Sequence, residues 1–113
     1  MPSKVLEINM EAGRPATDTA VMNMKNTLMA CPRRGVRAAV LIHGYGSSGV
    51  GGAIRTAARR ALSDGSLSSV VRESVPGEQW HWRKREFLAH CPALASYEGR
   101  IANNEGITVV LLR

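Results

Sequence analysis

The sequence predicts an α/β fold built on a mixed four-stranded sheet, and three observations carry that reading. Apolar runs of strand length recur near 5–10, 38–42, 69–75 and 107–112. The stretches between the first three of them repeat apolar residues at helical spacing. A length of 113 residues suits one domain, 1–113, with a two-layer core. Alternating strands and helices favour a parallel core sheet, and a short last connection allows an antiparallel final strand.

The first strand, VLEINM from Val5, interleaves Glu7 and Asn9 with Leu6 and Ile8, so one of its faces is polar. Gly13, Arg14 and Pro15 punctuate a turn, after which Thr17 or Asp18 can accept hydrogen bonds at a helix start. Val21, Met24, Leu28 and Cys31 then mark one apolar helix face, closed by Pro32. Arg33, Arg34 and Arg37 form a basic connection into Ala38 to Ile42, a continuous apolar run of the kind buried on both faces, hence a central strand. A second helix carries Ile54, Ala57, Ala58, Ala61 and Leu62 on one side and ends at Asp64-Gly65.

The segment 76–105 reads as an insertion or a rebuilt edge before the last strand. Trp80, Lys84, Phe87, Leu88 and Cys91 predict a short helix closed by Pro92. Leu94 to Ile101 then pairs with Ile107 to Leu112 across Asn103-Asn104-Glu105-Gly106, making a hairpin at the sheet edge.

Charge narrows the partner. The formal net charge is +6 and the isoelectric point is near 10.2. Such an excess favours a polyanion, most simply nucleic acid, because Lys and Arg release counterions from phosphates. No stretch of 18 apolar residues and no signal-peptide core is visible, so a cytoplasmic location with no membrane partner is expected. Cys31 and Cys91 suit buried thiols better than a disulfide. His43, His81 and His90 are scattered, and His90-Cys91 matches no structural zinc spacing, so a zinc site is not expected.

The stretch AAVLIHGYGSSGVGG, residues 38–52, admits several chemistries. Gly44 to Gly49 fits GxGxxG, with Glu73 as a ribose contact, which would make a small dinucleotide-binding module; a full strand and helix before the motif argue against it. A hydrolase oxyanion loop lacks its GxSxG serine, and a phosphate-binding P-loop lacks its lysine. Trp80-His81-Trp82-Arg83-Lys84-Arg85 offers indoles that stack on unpaired bases, or that anchor the segment to the core. A non-catalytic protein-interaction domain with a merely solubilising basic face is a further alternative.

In context, His43-Gly44-Tyr45-Gly46 after a strand, a helix opening at Gly51-Gly52-Ala53-Ile54-Arg55, and the terminal Gly106-Ile107-Thr108-Val109-Val110-Leu111 together resemble the Smr (small MutS-related) domain. The resemblance covers 5–75 and 106–113. It implies a two-layer α/β sandwich of order βαβαββ and nucleic-acid binding, with endonuclease activity on DNA or RNA in several members.

The resemblance also implies two site motifs. HGxG is present as His43, Gly44, Tyr45 and Gly46, whereas LDxH aligns with Leu6-Glu7-Ile8-Asn9 and is degenerate. Glu7 keeps a carboxylate, but Asn9 replaces a titratable imidazole with an amide. His43 and Glu7 are therefore the candidate catalytic residues. Glu7 could orient His43, activate water or hold a divalent metal, although one carboxylate makes a thin metal site. For binding, Gly44, Tyr45, Gly46, Ser47 and Ser48 would present backbone and hydroxyl donors to phosphate at a helix start, continued by Arg55 and Arg59.

Overall fold

The computed structural model describes residues 4–44 and 50–113. Strand β1, Lys4–Asn9, leads into helix α1, Thr17–Ala30. A short 3-10 turn, Pro32–Arg34, precedes β2, Val36–Ile42. Helix α2 spans Val50–Ser63 and β3 spans Val71–Pro76. After a second 3-10 turn, Gly77–Gln79, come α3, Trp80–His90, and a 3-10 helix, Pro92–Tyr97. The short α4, Glu98–Ile101, and β4, Ile107–Leu112, complete the order.

The strands stand as β1-β2-β4-β3. β1 and β2 are parallel, and β4 runs antiparallel to both β2 and β3. The sheet is therefore mixed, with three strands pointing one way and the last strand against them, as the sequence predicts.

Side chains alternate across a strand, so β2 serves two cores. Ala39 and Leu41 meet Met24 and Leu28 of α1 and Ile54 and Ala58 of α2 on one face. Ala38 and Val40 meet Trp80 and Phe87 of α3, with Leu94 and Ile101, on the other. The buried face of α1 is Ala20, Met24 and Leu28, with Val21 half-buried beside it. Its start is capped by neither Thr17 nor Asp18: Ala16 is the N-cap and makes no side-chain bond, while Asp18 lies in the first turn, where a negative charge favours the helix dipole. Cys31 and Cys91 are buried free thiols.

The expected hairpin does not form. Leu94 and Ile101 belong to helical turns, and β4 lies inside the sheet rather than at its edge. Every residue of β4 is buried, and both of its flanks are paired. The segment after Pro76 instead adds a helical layer over the second face. Trp80 anchors it, edge-on to Phe87 with ring centroids 5.9 Å apart, its indole N–H donating to Glu98. Gly77 makes this approach feasible, because a Cβ there would stand 2.2 Å from the Asn104 carbonyl oxygen. The two tryptophans thus separate in role: Trp80 is fully buried and Trp82 is 73% exposed.

Candidate functional site

His43 leaves β2 on the face covered by α2, and its surroundings fix it completely. Its backbone N–H and that of Gly44 both donate to the Gly106 carbonyl, at 3.0 and 3.1 Å, tying the end of β2 to the start of β4. Gly44 turns with φ +73°, and a Cβ there would lie 2.7 Å from both carboxylate oxygens of Glu11. The left-handed backbone is what favours glycine here, since the Glu11 carboxylate is the movable end of an exposed side chain.

The imidazole is buried and both of its nitrogens are engaged. Nδ1 lies 2.7 Å from the Gly44 carbonyl oxygen, which can only accept, so Nδ1 carries the proton. Nε2 then accepts from the Thr108 hydroxyl at 2.8 Å. That hydroxyl oxygen in turn accepts from Arg59 Nε at 3.0 Å. The chain of donors runs from arginine through threonine to histidine with every partner satisfied. Burial pushes the His43 pKa down and Arg59 and Arg55 push the same way, outweighing the Gly44 carbonyl and Glu78, so the ring is neutral at neutral pH.

Arg59 is committed to this network. Its two terminal nitrogens hold Glu78 bidentately at 3.0 Å each, and one also donates to the carbonyls of Glu105 and Ile107. Burial alone would raise the pKa of Glu78, but the hydrogen bonds and charge of Arg59 bring it below the usual carboxylate value. Arg59 therefore pins α2 to β4 and to the turn before α3, and is not a free phosphate ligand. Arg55, one turn earlier, is looser: its guanidinium is 3.7 Å from the Glu105 carboxylate, and that carboxylate side chain is 62% exposed.

Glu7 does not reach His43. β1 and β2 are neighbours, but Glu7 is in register with Val40 and so points to the α3 side, whereas His43 and Thr108 share the α2 side. Its carboxylate pairs with Arg100 of α4. Asn9 has a conformational role, its side-chain oxygen accepting from the Glu11 backbone N–H at 3.0 Å and turning the chain out of β1. With Glu7 and His43 on opposite faces, the pair does not converge on a divalent metal. Among the described residues no cluster of three or more His, Cys, Asp or Glu does so. Tyr45, Gly46, Ser47 and Ser48 lie outside the described residues.

The dinucleotide alternative loses its carboxylate. Glu73 is in register with Leu111, itself opposite Ala38, so it lies toward the end of the sheet away from Gly44 and is separated from β2 by β4. Its partner is Arg83 of α3 at 2.6 Å.

An open cleft lies at the C-terminal ends of β1 and β2, lined by Glu11, Gly44, Arg100, Asn103, Asn104, Glu105 and Gly106. This is where open α/β sheets ordinarily bind ligands. The sequence did not single out Glu11, Glu78, Arg100 or the side-chain role of Thr108. Thr108 left a signal, as a hydroxyl inside an otherwise apolar strand. The three others carry none, since their partners are 19 to 93 positions away or defined only by a backbone approach.

No family model matches the sequence, and no curated protein matches it. A solved structure does: the Smr domain of Thermus thermophilus MutS2, with 22% identity, 97% of this chain and 98% of that chain covered, and a TM-score of 0.56. Among the described residues no helix is long and apolar enough to cross a membrane. A mixed sheet ordered β1-β2-β4-β3, with α1 and α2 on one face and a histidine-glycine turn stitched to the start of β4, is in this chain the fold of an Smr domain.

Proposed function

We propose that this chain is a nucleic-acid-binding domain that holds backbone phosphate without hydrolysing it. The observation that carries this reading is the open cleft at the C-terminal ends of β1 and β2, bordered by α4 and by Gly44; α2 begins at Val50, after that glycine in the chain. The first backbone N–H groups of a helix have no partner within the helix and sit at the positive end of its dipole, which suits a phosphate oxygen. Arg55, one turn into α2, makes a single long ion pair among the described residues, to an exposed carboxylate, and is able to exchange it for phosphate. The formal charge of +6 favours the encounter.

Binding rather than cleavage is supported by the same residues that suggested chemistry. A general base needs a nitrogen within reach of the nucleophile's proton, and both nitrogens of His43 already have partners inside the protein. Glu7 is occupied by Arg100 on the opposite face, and Asn9 cannot transfer a proton. The test is to incubate the chain with a looped DNA and a hairpin RNA, with and without magnesium. A salt-sensitive mobility shift with no cleavage above the blank is expected. Cleavage that disappears in His43→Ala would overturn the non-hydrolytic reading, and the absence of any shift at low salt would overturn binding itself.

A further inference from the structure

Five exposed cations with no ion pair among the described residues gather at the end of the sheet away from the glycine turn. Lys4 is the first residue of β1, Arg37 the second of β2 and Arg72 the second of β3. The register keeps them level: Lys4 is opposite Val36, and Val71 reaches Leu112 one position beyond Leu111, which lies opposite Ala38. Arg33 and Arg34 occupy the 3-10 turn that feeds β2. All five are exposed, and none makes an ion pair among the described residues.

The carboxylates toward that end are engaged elsewhere. Asp64 accepts from Ser66, and Glu73 accepts from Arg83. From β1 to β3 is three strand spacings, about 14 Å, comparable to the rise of roughly four phosphates along one strand of a duplex.

We infer that Lys4, Arg33, Arg34, Arg37 and Arg72 form a second nucleic-acid-binding surface, a backbone grip on the opposite end of the sheet from the glycine turn. It rests on the reading of the partner as nucleic acid and places most of the electrostatic affinity away from α2. In this inference the five cations hold phosphate oxygens, the contacts that position a protein on nucleic acid without reading its sequence.

The test combines Arg33→Gln, Arg34→Gln and Arg37→Gln in one variant and measures binding to a short duplex DNA across a salt series, beside Arg55→Gln. Each lost phosphate contact lowers the slope of log affinity against log salt by about 0.9, so the triple variant is expected to be shallower by about 2 to 3 and Arg55→Gln by about 1 at most. Lys4→Gln with Arg72→Gln, which leaves the turn before β2 intact, is expected to flatten the slope by about 2 and guards against a folding artefact. Native binding that both multiple variants leave unchanged overturns this inference alone. Native binding to neither DNA nor RNA overturns it together with the proposed function. Tight binding of phosphatidylserine vesicles through these residues, without duplex binding, also overturns it.

Discussion

Apart from the exposed Arg14, the two ends of the sheet use arginine in opposite ways. At the glycine-turn end and along its flank, Arg55, Arg59 and Arg100 hold Glu105, Glu78 and Glu7. At the other end Lys4, Arg33, Arg34, Arg37 and Arg72 hold no carboxylate among the described residues. A net charge counted along the chain is silent on this division, because it sums groups whose fields are cancelled locally with groups whose fields reach solvent. Proximity to a glycine-rich motif is likewise a poor guide to which arginine meets a ligand.

The largest expected effect breaks the comparison at its most buried point. Arg59→Ala leaves Glu78 without its bidentate partner and Thr108 without a donor. The cost of breaking a fully buried pair, discounted for partial exposure, comes to about 2–3 kcal/mol. Thermal unfolding of a chain this size should register a fall of roughly 10 °C in midpoint. The same measurement on Arg33→Gln, Arg34→Gln and Arg37→Gln together should move by only a few degrees, since exposed unpaired cations support little structure. Equal losses in the two variants would erase the distinction between the ends.

A smaller effect concerns pH. The folded pKa of His43 is depressed, so the unfolded chain binds its proton more readily. The stability that His43 contributes is therefore complete above its unfolded value near 6.5 and is lost as pH falls below it toward the folded value. Midpoints measured at pH 7.5 and 5.5 should drop further for the native chain than for His43→Gln. A parallel drop would mean that the ring is not held neutral by burial.

The smallest is Arg100→Gln. Both partners of its pair are substantially exposed, so loss of about 0.5 kcal/mol or less is expected in denaturant unfolding. A loss as large as that of Arg59→Ala would place Glu7 and Arg100 among the supports of the fold.

Much of the fold was legible because it depends on local periodicity. The apolar spacing along α1 and the continuous run of β2 each identify an element and its burial without reference to the rest of the chain. The hairpin misreading arose where Leu94 and Ile101, bounded by Pro92 and the Asn103-Asn104 turn, resemble a strand in length. Their continuation of the sevenfold spacing from Trp80 and Phe87 was the signal for helix. At the candidate site, His43 and the glycine requirement at Gly44 were readable. Which face Glu7 points to depended on register with β2, and the commitment of Arg59 depended on Glu78 19 positions away. Neither is a property of any short window.

The position of β4 bears on how the chain acquires its shape. It comes after β3 in the sequence yet fills the gap between β2 and β3, so every ladder bond on those flanks waits for the last strand to be synthesised. Until then the nascent chain holds two apolar strand edges with nothing between them. Closure by such distant pairing is slow relative to local helix formation, and the interval exposes edges able to capture another chain. The strand that completes the sheet is thus also the one whose arrival closes both of those edges.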